Sequence, residues 1–282
     1  MKTVSEVLQL STNYLQERQV ARPRREAEDL LCFILKLSRL ELYLQHERPM
    51  DESELSLYRD FLKRKVKGEP YEYIAGEIPF FHCRFRLSPD VLIPRPETEI
   101  LLEKAVLEIQ KKDYSDKVAW DLCCGSGCLG VSLKKALPAL EVSLSDLSEK
   151  AIEIAKANAS MNDATVCFYQ GDLLSPFRQG KADFVLCNPP YISNQEFNSL
   201  DPSVRLYEPK IALVSGPSGL EFYTRLADEL PVYLNRGAKV FLEIGAGQGA
   251  AVGAIFGAKC WKTKCLEKDW AGHDRFFFLE FE

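Results

Sequence analysis

The sequence predicts an α/β protein in which a mostly parallel, doubly wound sheet follows a small domain made only of helices. Residues 1–70 carry apolar residues at helical spacing, whereas strand and helix patterns alternate from residue 94 onwards. Such alternation favours a parallel sheet covered by helices on both faces. We therefore predict a helical domain at residues 1–70, a β-hairpin linker at 71–93 and the α/β domain at 94–282.

Three capping signals divide the N-terminal domain into four or five predicted helices. Thr3, Ser38 and Asp51 are each followed three residues later by a glutamate. In this pattern the two side chains bond reciprocally to free backbone N–H groups at a helix start. Gly68 and Pro70 end the last predicted helix of the domain.

The linker and the α/β domain are predicted from strand patterns. Residues 80–87 are rich in aromatic residues and precede a Pro-Asp turn signal, which predicts the hairpin. Further predicted strands cover residues 118–122, 141–145, 165–169, 182–187, 239–244, 261–266 and 275–281.

Composition and charge exclude several classes of protein. The chain is 46% hydrophobic and 27% charged, with a net charge of −5, and this acidity argues against a nonspecific nucleic-acid binder. Apolar runs fall short of the ~20 residues that span a bilayer, and the N-terminus lacks a signal-peptide core. Nine cysteines, an odd number, fit a reducing cytoplasm. Cys123, Cys124 and Cys128 lack the paired spacing of a zinc site, so we expect no metal.

A glycine-rich turn follows the first strand of the α/β domain and begins a helix. Glycines there let the backbone approach a bound ligand closely. Asp146 ends the next strand roughly 20 residues later, where an acid binds the two hydroxyls of a ribose. The alternative role for Asp146 is a helix N-cap. The turn also lacks the G-x-G-x-x-G spacing of dinucleotide enzymes. Its predicted ligand-binding residues are Cys123, Cys124, Gly125, Ser126 and Gly127.

Two further turns bear on ligand binding. Asp172 follows the third strand, where its carboxylate either accepts from an adenine amino group or forms an ordinary turn. A second glycine-rich turn at residues 243–249 would hold a cofactor only in a circularly permuted fold. Too few residues follow it to build a complete cofactor-binding half, so we interpret it as a structural turn.

The motif Asn188-Pro189-Pro190-Tyr191 follows the fourth strand, at the sheet edge where open α/β sheets bind ligands. The prolines fix φ and stiffen the loop, and the residue before a proline is extended. The Asn188 side-chain oxygen and the Pro189 carbonyl then form two acceptors for an NH₂ group. Tyr191 offers a flat face to a planar substrate. The alternative is a polar turn after a buried strand.

Two acceptors on one NH₂ group suit methyl transfer to a planar amide or amino nitrogen. They increase electron density on the nitrogen and aim it at the methyl group of a sulfonium donor. In-line transfer then depends mainly on positioning and electrostatics. A strong general base is not required, because an N-protonated amide loses its proton readily.

These residues resemble the glutamine-N5 methyltransferases of peptide chain release factors, the PrmC/HemK family, over nearly the whole chain. The Asn-Pro-Pro-Tyr motif is also found in DNA adenine methyltransferases, so other segments carry the resemblance. These are residues 70–76, 93–99 (Ile-Pro-Arg-Pro-Glu-Thr-Glu), 207–209 (Tyr-Glu-Pro) and 268–275.

The resemblance implies a class I S-adenosylmethionine (SAM)-dependent methyltransferase with a Rossmann-like, mostly parallel seven-stranded sheet. The implied substrate is the glutamine of the Gly-Gly-Gln loop in class I release factors, which the N-terminal domain would contact. The implied catalytic residues are Asn188, Pro189 and Tyr191, and Pro190 joins them in substrate binding. The implied SAM contacts are the turn at 123–127, Asp146, Asp172, Leu173 and Asn188.

Two positions depart from the family pattern. Cys123 stands where glycine is usual, so the backbone there must accommodate a side chain, and Leu173 stands where an aromatic residue is common. We further expect a monomer without membrane or nucleic-acid partners.

Three alternative functions have less support in the sequence. A DNA or RNA amino-methyltransferase would use the same motif on a flipped base, at adenine N6 or guanine N2. The acidic α/β domain and the lack of a segment rich in Lys and Arg count against it. A binding module without catalysis would not need the intact acceptor motif. A haem-pathway oxidase would need a redox cofactor, which no motif here indicates.

Overall fold

The structure is a computed structural model that describes residues 2–178 and 180–282, and these form two compact units. The first contains the described residues up to Gly76 together with Asp201–Tyr207, and the second contains the remainder. The helices are α1 Val4–Glu17, α2 Pro23–Leu35, α3 Arg39–Leu44, α4 Glu52–Val66, α5 Tyr71–Ala75, α6 Pro96–Ile109, α7 Cys128–Ala136, α8 Glu149–Met161, α9 Asn194–Phe197, α10 Pro202–Tyr207, α11 Lys210–Leu213, α12 Glu221–Tyr233 and α13 Gly249–Ile255. The strands are β1 Glu77–Phe80, β2 Cys83–Arg86, β3 Val118–Leu122, β4 Glu141–Asp146, β5 Cys167–Gln170, β6 Ala182–Cys187, β7 Ile192–Ser193, β8 Val214–Gly216, β9 Leu234–Glu243, β10 Trp261–Lys268 and β11 Asp274–Phe281.

The first unit is helical, and three of its helices, α1, α3 and α4, begin where the capping signals predicted. The side chains of Thr3, Ser38 and Asp51 each accept a hydrogen bond from the backbone N–H three residues later, and all three capping boxes are complete. The apolar faces of α1, α2 and α4 pack into one core. Within that core the Tyr58 hydroxyl donates to Ser11 Oγ at 2.7 Å, which satisfies its polar end.

The boundary of the helical unit differs from the predicted one at residue 70. A fifth helix, α5, extends the unit to Gly76, which ends it with a left-handed φ of 75°. Helix α10 joins the same unit from much later in the chain, and the Tyr207 hydroxyl donates to the Lys67 carbonyl at 2.8 Å. This contact joins segments 140 residues apart, which local sequence patterns do not reveal.

The hairpin predicted as a linker is formed by β1 and β2 and belongs to the second unit. Asparagine side chains at the end of α8 bind the second strand of the hairpin, β2. Asn158 and Asn162 each exchange two hydrogen bonds with the backbone of Arg86 and Arg84 respectively. The side-chain amides therefore pair with β2 as a neighbouring strand would, which fixes the hairpin to the α/β unit.

The second unit contains the predicted seven-stranded sheet, in the order β10-β11-β9-β6-β3-β4-β5. Strands β9, β6, β3, β4 and β5 run parallel, and β11 is antiparallel to both β9 and β10. The strand order reverses direction between β3 and β6. A reversal of this kind opens a crevice at the carboxyl ends of the two strands.

Two apolar layers cover the sheet. Helices α6, α7 and α8 pack with one face, around residues such as Leu101 and Leu144. Helices α12 and α13 pack with the other face, around residues such as Leu230 and Val240. This doubly wound arrangement agrees with the α/β class predicted from the alternating pattern.

Candidate active site

The glycine-rich turn and the Asn-Pro-Pro-Tyr loop leave the sheet side by side. Leu122 at the end of β3 pairs in register with Cys187 at the end of β6 and with Ser145 in β4. Because these strands are parallel, the residues after them emerge at one edge of the sheet. That edge is the reversal point of the strand order, so the fold brings the two predicted motifs together.

Two adjoining cavities open at this edge. The Asp146 cavity contains Cys123, Gly125, Asp146, Asp172, Leu173, Asn188 and Pro190 in its wall. The Thr98 cavity contains Thr98, Cys123, Cys124, Gly125, Ser126 and Asn188 in its wall. Three predicted residues, Cys123, Gly125 and Asn188, therefore lie where the cavities meet.

Three other predicted residues lie outside both cavities. Gly127 is the N-cap of α7, with φ of 80°, and an added Cβ would lie 3.1 Å from the Cβ of Ala155. Glycine is thus required there for helix packing rather than for contact with a ligand. Pro189 and Tyr191 are largely buried behind the loop surface that Asn188 and Pro190 form.

Asp146 is held by the turn that it faces. Its Oδ2 accepts from the Gly125 N–H and its Oδ1 from the Ser148 N–H, both at 2.9 Å. Ser148, not Asp146, caps helix α8. A carboxylate has about four acceptor positions, so two remain for a pair of ligand hydroxyls. Burial is the main cause that raises the pKa of Asp146, opposed by its backbone hydrogen bonds.

The third-strand turn presents one charged and one apolar residue to the Asp146 cavity. Asp172 Oδ1 accepts from Arg225 Nη1 at 2.9 Å, so part of this carboxylate is engaged in an ion pair. Leu173 is buried against the cavity at a left-handed φ of 47°, and Phe222 lies in the same wall. An aromatic face is therefore present beside the position where the family pattern often has one.

The side-chain amide of Asn188 is oriented by a hydrogen bond behind the loop. Its Nδ2 donates to Thr98 Oγ1 at 3.2 Å. Within the described residues no hydrogen bond reaches its Oδ1, so the oxygen remains available at the junction of the two cavities. At the end of the same loop, the Tyr191 carbonyl accepts from Gln248 Nε2 at 2.9 Å.

Comparisons with known proteins show which family this chain belongs to. A family model for the methyltransferase small domain matches residues 97–201, and a model for the PrmC N-terminal domain matches residues 6–76. The chain is 42% identical over 278 residues to the release factor glutamine methyltransferase of Chlamydia trachomatis, which covers 98% of this chain and 94% of that protein.

The chain belongs to the release factor glutamine methyltransferase family. The member from Bacillus subtilis is 38% identical over 283 residues, which are 98% of this chain and 96% of that protein. A 16S rRNA methyltransferase from T. thermophilus shares the fold, with a TM-score of 0.52 and 14% identity over 73% of this chain and 50% of that one. The second unit therefore has the class I methyltransferase fold that the resemblance implied.

The segments that carried the family resemblance also meet in the structure. Glu208, which is buried, forms an ion pair with Arg95 and accepts from the Ile93 N–H at 3.2 Å. The Ile-Pro-Arg-Pro-Glu-Thr-Glu segment is thereby fixed to the Tyr-Glu-Pro segment. This segment also begins helix α6 and supplies Thr98 to the site.

Local sequence patterns did not indicate several residues in the wall of the Asp146 cavity. Residues 90–92 reach it from the loop before α6, and Ile211 and Ala212 reach it from α11. Phe222 reaches it from the first turn of α12. These residues belong to loops and short helices whose positions depend on tertiary contacts. The resemblance gave a partial signal, since residues 93–99 follow directly after the first of these segments.

Proposed function

We propose that this protein transfers a methyl group from SAM to the side-chain amide nitrogen of the glutamine in the Gly-Gly-Gln loop of class I release factors. The observation that carries the proposal is the free Asn188 Oδ1 at the junction of the two cavities, in a member of this family. SAM would supply an electrophilic methyl group on a sulfonium centre.

The residues of the Asp146 cavity fit SAM. The two free acceptor positions of Asp146 suit the two hydroxyls of a ribose. Leu173 and Phe222 offer an apolar wall to a flat base, and Asp172 lies beside them. Gly125 has φ of 52°, and an added Cβ there would meet nothing within 4 Å, which leaves the turn open to a ligand.

The loop residues then position the substrate amide. Asn188 Oδ1 and the Pro189 carbonyl accept the two N–H bonds, which keeps the nitrogen lone pair directed at the methyl donor. Pro190, which lies in the wall of the Asp146 cavity, flanks the planar amide group. Positioning of this kind contributes much of the rate in a direct displacement. After transfer, the methylated amide loses one proton to solvent and becomes neutral.

The helical unit is proposed to dock the release factor. It matches the PrmC N-terminal domain, and every residue in the wall of the two cavities lies in the second unit. We expect deletion of residues 1–76 to preserve SAM binding and methylation of a Gly-Gly-Gln peptide. It should raise KM for the intact release factor at least ~10-fold, which corresponds to ~1.4 kcal/mol of lost docking. Equal KM values would contradict the docking role.

We also propose that the protein acts as a monomer in the cytoplasm. Among the described residues, no helix is both long and apolar enough to cross a bilayer. Sedimentation at working concentration in the presence of SAM tests the monomer, and a dimer of constant mass would contradict it.

The function is tested by incubating the full chain with isotopically labelled SAM and a purified class I release factor. We expect one added methyl group on the Gly-Gly-Gln glutamine in peptide mass spectrometry. A release factor with glutamate at that position is the matched control and should remain unlabelled. Parallel incubations contain DNA and ribosomal RNA. Label on adenine or guanine with an unlabelled release factor would replace the proposal with nucleic-acid methylation.

A further inference from the structure

A buried acid lies behind Asn188 that the transfer reaction does not itself use. Glu243 ends β9 and is 1% exposed, and its Oε2 accepts from Thr98 Oγ1 at 2.7 Å. Thr98 is 2% exposed and in turn accepts from Asn188 Nδ2 at 3.2 Å. A buried carboxylate costs folding free energy, so its retention beside the site suggests a role in the reaction.

We propose that Thr98 and Glu243 are positioning residues that hold the Asn188 side-chain amide with its oxygen toward the substrate. The inference rests on the proposed function, because it concerns how the substrate amide finds its acceptor.

The number of hydrogens that each group carries determines the direction of these hydrogen bonds. The Thr98 hydroxyl has one hydrogen, and an ionised Glu243 can only accept, so the hydrogen points to Glu243. Thr98 Oγ1 therefore directs a lone pair, not a hydrogen, toward Asn188. A lone pair attracts the NH₂ group and repels the carbonyl oxygen of Asn188. The carboxylate therefore selects one of the two amide orientations, which are otherwise nearly equal in shape.

The three groups are brought together by three different elements. Thr98 lies in the first turn of α6, Asn188 follows β6, and Glu243 ends β9. Strands β6 and β9 are neighbours, with Cys187 and Leu242 in register. The sheet thus fixes the backbone next to Asn188 and at Glu243, the two ends of this series of hydrogen bonds. The distance that the series has to span is therefore constant.

Protonation of Glu243 would reverse this preference. A protonated carboxyl donates to Thr98, whose hydrogen then turns toward Asn188 and favours the flipped amide. Burial raises the pKa of Glu243 to about 7, while the Thr98 hydrogen bond and Arg275 lower it. The other charged or titratable groups that face it are Arg95, Glu97, Cys128, Tyr191 and Tyr223. We expect the rate to rise as Glu243 ionises.

Stability should change with pH in the opposite direction. A folded-state pKa above that of the unfolded chain means that the folded protein binds the proton more tightly. The contribution of Glu243 to stability is therefore full below its unfolded pKa of about 4.5 and is lost as pH rises through about 7. If Glu243 were only structural, the methylation rate would fall with stability as the pH rises. If it positions Asn188, the rate rises with pH while stability falls.

The test measures single-turnover methylation of the intact release factor at saturating SAM. We expect Thr98→Val, which keeps the shape and removes the hydroxyl, to lower the rate ~10–100-fold, as loss of a supporting hydrogen bond to an active-site group does. Thr98→Ser should stay within about threefold of wild type, because it keeps the hydroxyl. Thr263→Val on the exposed edge of β10 is the matched control and should be unchanged. The dissociation constant for SAM should stay near wild type in all three.

The pH profile separates positioning from packing. The wild-type rate should rise ~10-fold between pH 6 and pH 8, the change expected for one group with a pKa near 7. Asp121 is a second buried acid, with pKa raised to about 8 by burial, so the wild-type profile alone does not assign the group. Glu243→Gln should remove the rise and should also remove the matching fall in stability. A rise that persists in Glu243→Gln, or Thr98→Val at the wild-type rate, would overturn the inference.

Failure of the proposed function gives a different result. If the wild-type protein leaves the release factor unlabelled, the function fails and the orientation of Asn188 is measured directly. In ¹⁵N NMR the Asn188 NH₂ signals, assigned by their loss in Asn188→Asp, should titrate near pH 7. Thr98→Val and Glu243→Gln should each abolish that titration. Identical signals in the wild-type protein and in both variants would contradict the positioning role even then.

Discussion

Two glycine-rich turns follow parallel strands of the same sheet, and the first of them, after β3, opens onto the Asp146 cavity. In the turn after β3, the Gly125 N–H donates to Asp146, which comes from the neighbouring strand. In the turn after β9, the Gly245 N–H donates to Gln248 of the same turn, also at 2.9 Å. An added Cβ at Gly125 would meet nothing within 4 Å, whereas one at Gly245 would lie 2.7 Å from Gln248 Oε1.

The partner of the glycine N–H therefore decides what the turn can do. In the first turn, the Gly125 N–H is bound by Asp146 of the neighbouring strand, so no side chain of the turn itself fills the space in front of it. That space is the Asp146 cavity. Gln248 fills the corresponding space of the second turn, and its Nε2 then donates to the Tyr191 carbonyl. The first turn can bind a ligand, and the second supports the Asn-Pro-Pro-Tyr loop. This difference agrees with the interpretation of residues 243–249 as a structural turn.

We expect the largest effect from Asn188→Ala, because Asn188 shares the cavity walls with the first turn and its loop is held by the second. Its Oδ1 is the acceptor proposed for the substrate amide, and removal of one such preorganised group typically lowers turnover ~10²–10³-fold. SAM affinity should fall much less than turnover, and the fold should survive at an open strand end. Single-turnover methylation at saturating SAM is the measurement. Asn194→Ala on the exposed start of α9 is the control. A near-normal rate in folded Asn188→Ala would favour the polar-turn interpretation of the motif.

The sequence predicted the regular elements of the second unit well, because periodicity and strand composition are local signals. The strand at Ala182–Cys187 was placed at its observed bounds, and the glycine turn and Asp146 emerged where βα units require them. The third strand begins at Cys167 rather than at residue 165, and β9 begins at Leu234 rather than at residue 239. Strand ends depend on pairing partners, which the local pattern does not contain.

The sequence did not predict the segment between the Asn-Pro-Pro-Tyr loop and α12. It folds as elements of two to six residues, too short for a period to be recognised. Within this segment, Tyr207 belongs to the helical unit and donates to the Lys67 carbonyl. Glu208, the residue that follows it, is buried and forms the ion pair with Arg95. In the sequence, Thr98 stands out only as part of the segment 93–99 that carries the family resemblance, and Glu243 only as part of the predicted strand 239–244 and the turn 243–249. Their roles depend on contacts between residues 145 positions apart.

Asp146→Ala removes the side chain from β4 that accepts the Gly125 N–H of the first turn. The variant loses two hydrogen bonds to ligand hydroxyls, each worth ~1.5–3 kcal/mol when the acceptor is charged, so SAM should bind at least ~100-fold more weakly. It also leaves the Gly125 N–H without its acceptor. Isothermal titration measures the effect, with Asp228→Ala on the exposed face of α12 as the charge-matched control. Unchanged affinity would remove Asp146 from the site.

Gln248→Glu should separate the two functions of the second turn. A glutamate can still accept from the Gly245 N–H, but it cannot donate to the Tyr191 carbonyl. Loss of one such bond is worth ~1 kcal/mol, so we expect turnover to fall about fivefold while SAM affinity is retained. Gln248→Ala should in addition lower the unfolding free energy, because it leaves a buried N–H unpaired. If Gln248→Glu weakens SAM binding by the same factor as it lowers turnover, the two turns do not act independently.

Cys123→Gly should produce the smallest effect and tests the strain in the first turn. Cys123 has φ of 56°, in the left-handed region that costs a residue with a side chain about 1–2 kcal/mol. Glycine removes that cost but loses about 0.5–1 kcal/mol more chain entropy on folding, so a net gain of ~0.5–1 kcal/mol remains. For a unit of this size the gain raises Tm by roughly 2–4 °C at most. SAM affinity should stay within about threefold, since the turn keeps its backbone path.

Leu173→Gly is the matched variant, because Leu173 has φ of 47° in the other turn that faces the Asp146 cavity. The relief of backbone strain is similar there, but Leu173 is 3% exposed and belongs to the same apolar core as Phe177 and Leu226. Removing a buried leucine side chain costs about 2–5 kcal/mol, which exceeds the strain that is relieved. Thermal unfolding should therefore move in opposite directions for the two variants. If Cys123→Gly is also destabilised, the contact of the Cys123 side chain with Cys187 at the end of β6 contributes more stability than the left-handed backbone at Cys123 costs.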